Sequence, residues 1–160
     1  MRTSQAYHVQ NPFWPYRGAG WFVPHADGTF EPCEHDRTDA LRGRYLPIDV
    51  PYRGKGLLAD VVAWEDEEPR VWWRWSRDVN WLGADVLQRA VDANEPVGIV
   101  RTPLEYLELY CGVLCVLDWS IDLRFILARA PEVIVYYPDL YERLVRHLRG
   151  YRRVKLTRGW

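Results

Sequence analysis

From Arg143 onward the chain carries Arg143, Arg146, Arg149, Arg152, Arg153, Lys155 and Arg158, and no acidic residue follows Glu142. A helix would place Arg143, Arg146 and His147 on one side, since residues three and four apart are neighbours there. Tyr151 and Trp160 follow. Cations interleaved with aromatics are the residue types that neutralise a phosphate backbone and stack on bases. Trp72, Trp73 and Trp75 are a second concentration of binding potential. Alternate side chains of a strand point to opposite faces, so these indoles cannot share one face. At least one is expected at a surface, groove or interface, where Trp and Arg concentrate binding energy. Arg101, Asp118 and Asp139 form a third set, each close behind a short apolar run at 97–100, 113–117 or 133–136. Beyond the carboxyl ends of parallel strands, where α/β sheets bind ligands, they would suit a nucleotide-like ligand. Asp118 and Asp139 also suit helix caps at those points.

Other spacings carry less. Cys33, His35 and Asp36 with His25 supply too few well-spaced ligands for zinc, which takes about four, so no metal centre is expected. Cys111 and Cys115 sit four apart in an apolar stretch and read as small buried residues. The segment Tyr52-Arg53-Gly54-Lys55-Gly56-Leu57 has some likeness to the pyrophosphate loop of GNAT-type acetyltransferases, through Arg53 and Gly56. Leu58 stands where that family has Gly or Ala, and the alternation that follows is a strand's rather than a helix's. No G-x-S-x-G, Walker-type loop or H-E-x-x-H occurs, so neither a catalytic residue nor a cofactor is implied.

The 160 residues are 48% hydrophobic and 27% charged, which excludes a disordered or low-complexity chain. A formal charge of −1 and a pI of about 6.4 give no global field that would mark the whole molecule as a nucleic-acid or membrane binder. Lys55 and Lys155 are the only lysines among its 21 basic residues. Three cysteines suit a reducing compartment better than a disulfide scaffold. No apolar run exceeds five residues, against the ~20 of a membrane helix. A cytoplasmic protein without membrane contact is therefore expected.

Two unlike halves must position these groups within one domain, 1–160. Residues 1–81 are rich in Trp, Tyr, Pro and Gly and read as antiparallel β: strand and turn around Asp27-Gly28, an irregular Pro-broken stretch over 32–56, then strands at 58–64 and 71–75. An acidic turn, Glu65 to Pro69, joins the last two and is a candidate partner for the basic tail. Residues 82–150 alternate helix and strand as α-β-α-β-α-β-α, which predicts a small, mostly parallel sheet. Its helices are expected over 84–93, from Thr102-Pro103 up to Gly112 with Leu104, Leu107 and Tyr110 inward, over 121–130 behind Ser120, and from Pro138 to Arg149 with Leu140, Leu144, Val145 and Leu148 inward. Thr102 and Glu105 have the spacing of a capping box. Residues 151–160 read as a free basic tail. The fold class is thus α/β in the C-terminal half and α+β overall, with the β-rich half packed on the α/β half.

The string 57–64 (LLADVVAW), Pro69, Trp72-Trp73-Arg74, Leu82-Gly83, 102–107 (TPLEYL) and 116–119 (VLDW) resembles uncharacterised proteins of bacterial phages, prophages and plasmids. The resemblance covers about residues 57–140 and implies a mobile-element setting without a defined activity. Together with the basic and Trp-rich segments it favours a non-enzymatic accessory protein. Its expected partner is a protein or nucleoprotein complex, with nucleic acid reached through the basic C-terminus, and self-association stays open. Inhibition of a host defence system and a replication-associated role both fit. The rival is a small-ligand or nucleotide-binding α/β domain, or an enzyme, acting at Arg101, Asp118 and Asp139.

Overall fold

A computed structural model describes residues 18–33, 37–49, 58–151 and 153–159. The fold is α+β, and the chain divides into two compact units, Met1–Val79 and Asn80–Trp160. The first holds an antiparallel sheet of β1 (Ala19–Pro24), β2 (Phe30–Cys33), β3 (Leu41–Asp49), β4 (Leu58–Glu65) and β5 (Trp72–Arg74), in the order β2-β1-β3-β4-β5. The expected hairpin forms: Gly28 takes φ 83°, and the Asp27 carboxylate accepts from the Thr29 amide at 2.9 Å.

The stretch expected to be irregular instead contains β3, the strand between β1 and β4. Its Pro47 argues against a central strand because it lacks an N–H. Among the described residues β1 pairs only with 41–44, and Pro47 is paired with Val61 of β4. Register places Trp64 opposite Trp72 and Ala63 opposite Trp73, which separates Trp73 from Trp72 and Arg74 as the alternation predicts. Phe22, Phe30, Val61 and Ala63 form a core against which Tyr45, Trp73 and Trp75 pack. The acidic turn has a partner close by: Asp66 accepts from Arg44 at 2.8 Å.

The second unit contains β6 (Trp81–Leu82), α1 (Ala84–Ala93), β7 (Val97–Val100), α2 (Pro103–Glu108), β8 (Leu114–Val116), α3 (Arg124–Leu127), β9 (Val133–Val135), α4 (Pro138–His147) and β10 (Leu156–Arg158). Its sheet runs β10-β9-β7-β8-β6, parallel except for β6. The tail is therefore not free: β10 completes the sheet, with Leu156, Thr157 and Arg158 in register with Val133, Ile134 and Val135. Starting from β7, the chain steps to one side for β8, then crosses back to the other side for β9 and β10. Right-handed crossovers then put α2 on one face and α3 and α4 on the other. The main core agrees, since it joins side chains of α1, α3 and α4 and none from α2 among the described residues.

Local chemistry explains the element ends. Gly83 precedes α1 at φ 92°, where a Cβ would lie 2.4 Å from the Val113 carbonyl oxygen, so no other residue fits. Asn94 ends α1 in the left-handed region. Thr102 caps α2 by accepting from the Glu105 amide at 3.1 Å, but the Glu105 carboxylate turns to the Arg101 amide at 2.8 Å, so the capping box closes only halfway. Helix α2 stops short of Tyr110, which is 95% exposed rather than inward. Helix α3 is a single turn, begun when Asp122 accepts from the Arg124 amide at 3.0 Å, rather than ten residues behind Ser120. Val145 points outward, 46% exposed, while Leu140, Leu144 and Leu148 are buried as expected.

Candidate functional site

Helix α4 buries one stripe on the sheet and turns Arg143 and Arg146 to solvent, with Arg149 just past its end. The loop leaving β8 brings Trp119 beside it. The Arg143 Cζ lies 3.9 Å from the centre of the Trp119 ring, and the His147 ring meets the same indole edge-on with centroids 6.0 Å apart. His147 Nε2–H donates to the Ile121 carbonyl at 3.0 Å, which fixes the loop against α4. The buried Trp119 Nε1 has no hydrogen-bond partner among the described residues. Desolvation, and then the like charge of Arg146, shift the Arg143 guanidinium below its ordinary value. It remains cationic at any physiological pH. Among the described residues no carboxylate pairs with Arg143, Arg146, Arg149 or Arg153. This face is a row of cations without a salt bridge among the described residues, one of them over an indole ring.

The other cations of the C-terminus are engaged. Lys155 donates to Glu132 at 3.1 Å, and Arg158 lies over Tyr141, 5.1 Å from the ring centre. Arg152 falls outside the described residues. Arg124 makes a two-point pair with Asp122 at 2.7 and 2.6 Å and approaches the Tyr151 ring at 6.0 Å. Trp119 and Tyr141 were not expected at this surface. The visible signal for Trp119 was its place just behind an apolar strand; for Tyr141, its position two residues before Arg143.

The crossing back from β8 to β9 makes the carboxyl ends of β7 and β9 the topological switch point, where doubly wound sheets bind ligands. Arg101 and Asp139 do meet there, 3.8 Å apart. Internal partners occupy them, however. Arg101 gives 2.6 and 3.0 Å hydrogen bonds to Glu105 and lies 3.7 Å over the Tyr137 ring, and the Glu105 bond is the main reason its pKa is raised. Asp118, beyond β8, accepts from the amide and hydroxyl of Ser120 at 2.9 and 2.6 Å. The arrangement works as a staple joining α2 to α4. A cavity of 670 Å³ beside Val97 and Gly98 opens at the opposite, amino-terminal end of these strands.

The Trp segment is less open than expected. Trp72, Trp73 and Trp75 are all half-buried, the last two against the Phe22 core, while Trp64 is sealed at 1% exposure. Sequence reasoning missed Asp60, which is fully buried. Its carboxylate accepts from the amides of Val61, Ser76 and Val79 at 2.8, 2.9 and 3.2 Å, tying down the segment after β5. Cys111 and Cys115 are not disulfide-bonded, and burial pushes the Cys115 thiol far up, which makes it inert. Among the described residues no three His, Cys, Asp or Glu side chains group as metal ligands. His35, Asp36 and the loop over 52–57 lie outside those residues.

Fold and site together define an α+β protein with a basic, aromatic-backed helix face. No helix of the described residues is long and apolar enough to cross a membrane. Compared with known protein families, curated protein sequences and solved structures, the chain finds no match.

Proposed function

We propose that this chain is a non-enzymatic accessory protein that grips a larger anionic partner through the α4 face of its second unit. The Arg143 guanidinium over the Trp119 ring, with Arg146, Arg149 and Arg153 exposed and without a salt bridge among the described residues, carries this reading. Uncompensated neighbouring cations repel one another, and an anionic partner relieves that cost. A protein or nucleoprotein complex fits, in a cytoplasmic, mobile-element setting where the chain inhibits a host defence complex or assists replication. The rival ligand site at the strand tips is disfavoured because Arg101 would have to leave Glu105.

Binding to two defined polyanions, polyglutamate and a short oligonucleotide, tests the reading at low and raised salt. At least one should bind, with affinity falling steeply as salt rises. Charge reversal of Arg146, Arg149 and Arg153 together should lower that affinity at least ~10-fold with an unchanged melting temperature, because three cations that release counterions are lost. Equal binding by wild type and variant would refute it.

A further inference from the structure

Between α4 and β10 lies a groove of 460 Å³ lined by Tyr141, Leu148, Tyr151 and Leu156, with Arg146 and Arg149 among its walls. Its volume falls in the ~300–1,000 Å³ range of small-ligand sites. Leu148 is buried and Tyr151, Val154 and Leu156 are half-buried, so the described floor is largely apolar; Leu156 comes from β10, and Leu148, Tyr151 and Val154 from the connection that leads to it from α4. Both tyrosines already have a guanidinium near the ring: Arg158 by Tyr141 and Arg124 by Tyr151. The described side chains that line the groove offer guanidinium and phenol donors, aromatic planes and apolar carbons, but no carboxylate or amide.

We infer that this groove takes one unstacked base of a single-stranded nucleic acid, with Arg146 and Arg149 receiving the flanking phosphates; the inference rests on the proposed reading of the α4 face. The charges are complementary, since a nucleotide joins a flat apolar ring to an anion, as the groove joins a tyrosine to an unpaired arginine. Arg143 and Arg146 are one three-residue step apart on α4, a rise of ~4.5 Å, and Arg149 follows just past the helix end on the groove wall, so a phosphate backbone meets successive cations beside the groove. A duplex keeps its bases stacked inside, so the site selects single strands. Stacking tolerates every base, and little sequence preference is expected. An acidic peptide would satisfy the arginines but brings no flat ring to lie against the two tyrosines.

The test compares an oligothymidylate, an abasic strand of equal length and polyglutamate, each titrated into the intact protein. Stacking on an aromatic side chain should make the base-bearing strand bind about tenfold more tightly than the abasic one. Tyr151→Leu should abolish that difference and leave abasic binding unchanged, whereas Tyr151→Phe should preserve it. On the wild-type protein, a strand carrying a photoreactive halogenated pyrimidine should cross-link to Tyr141 or Tyr151, a readout independent of any variant's folding. Equal binding of base-bearing and abasic strands, or cross-links confined elsewhere, would overturn the inference and leave the α4-face reading standing. So would binding of polyglutamate alone. Absence of binding to all three probes would overturn both.

Discussion

Arg143 and Trp119 come from different elements, yet the guanidinium lies 3.9 Å from the centre of the indole ring. The stack does two things. It adds to the cover that the core and His147 give Trp119, and it holds a cation at the surface without a salt bridge among the described residues. A lysine would do this less well, because only the planar guanidinium lies flat on a ring.

This pairing predicts a measurable coupling. In a double-mutant cycle with Trp119→Leu and Arg143→Ala, chemical denaturation should give an interaction energy of about 0.5–1 kcal/mol. Arg143→Lys should retain only part of it. A coupling indistinguishable from zero would mean that the stack does not stabilise the fold.

Asp60 should be the most sensitive polar position in the first unit. Asp60→Ala leaves three backbone donors without their acceptor, those of Val61, Ser76 and Val79. The Val61 donor is buried and those of Ser76 and Val79 only partly so; an orphaned buried donor costs about 1–3 kcal/mol, so a loss of about 2 kcal/mol is expected in denaturant melts. Amide exchange at Ser76 and Val79 should accelerate before any global change. Protection that persists at both amides would contradict this role.

Asp122 and Tyr45 should titrate away from their ordinary values in opposite directions. Asp122 is held at about 2, against an ordinary 3.8, chiefly by its side-chain hydrogen bonds from Arg124. Because the folded value is depressed, its contribution is full above pH 3.8 and disappears as pH falls through about 2. A carboxyl NMR titration should show that low midpoint and its return toward normal in Arg124→Ala. Tyr45 moves oppositely: burial pushes its phenol from 10.0 up to about 12, while it donates to the Trp21 carbonyl. A raised folded value means that its contribution is intact below pH 10 and lost as pH climbs through about 12. The difference in alkaline absorbance titration between wild type and Tyr45→Phe should isolate that late ionisation.

At the strand tips the staple is unequal. Glu105 is well covered, 14% exposed at the side chain, and holds both the Arg101 amide and its guanidinium. Asp139 is 65% exposed and 3.8 Å away. Glu105→Ala should therefore cost about 2 kcal/mol, as for hydrogen bonds to charged groups, whereas Asp139→Ala should change stability by less than about 0.5 kcal/mol. A thermal-shift screen of nucleotides should show no stabilisation that Asp118→Ala removes; such stabilisation would revive the strand-tip site.

Local periodicity determined much of this protein in advance: the Asp27-Gly28 turn, β4, helices α1 and α4, and the alternation that yields a mostly parallel sheet. These follow from spacing and capping chemistry that operate within a few residues. Tertiary structure alone decided the rest. Pro47 sits in β3 opposite Val61 of β4, and three residues of an apparently polar tail become β10 because β9 offers an edge to pair with. Likewise, Asp60 finds donors well beyond its own strand, Arg101 is taken up by Glu105 and Tyr137, and Trp119 finds Arg143. Which charges remain unanswered depends on what the folded chain brings beside them, and that is a long-range property no short window of sequence contains.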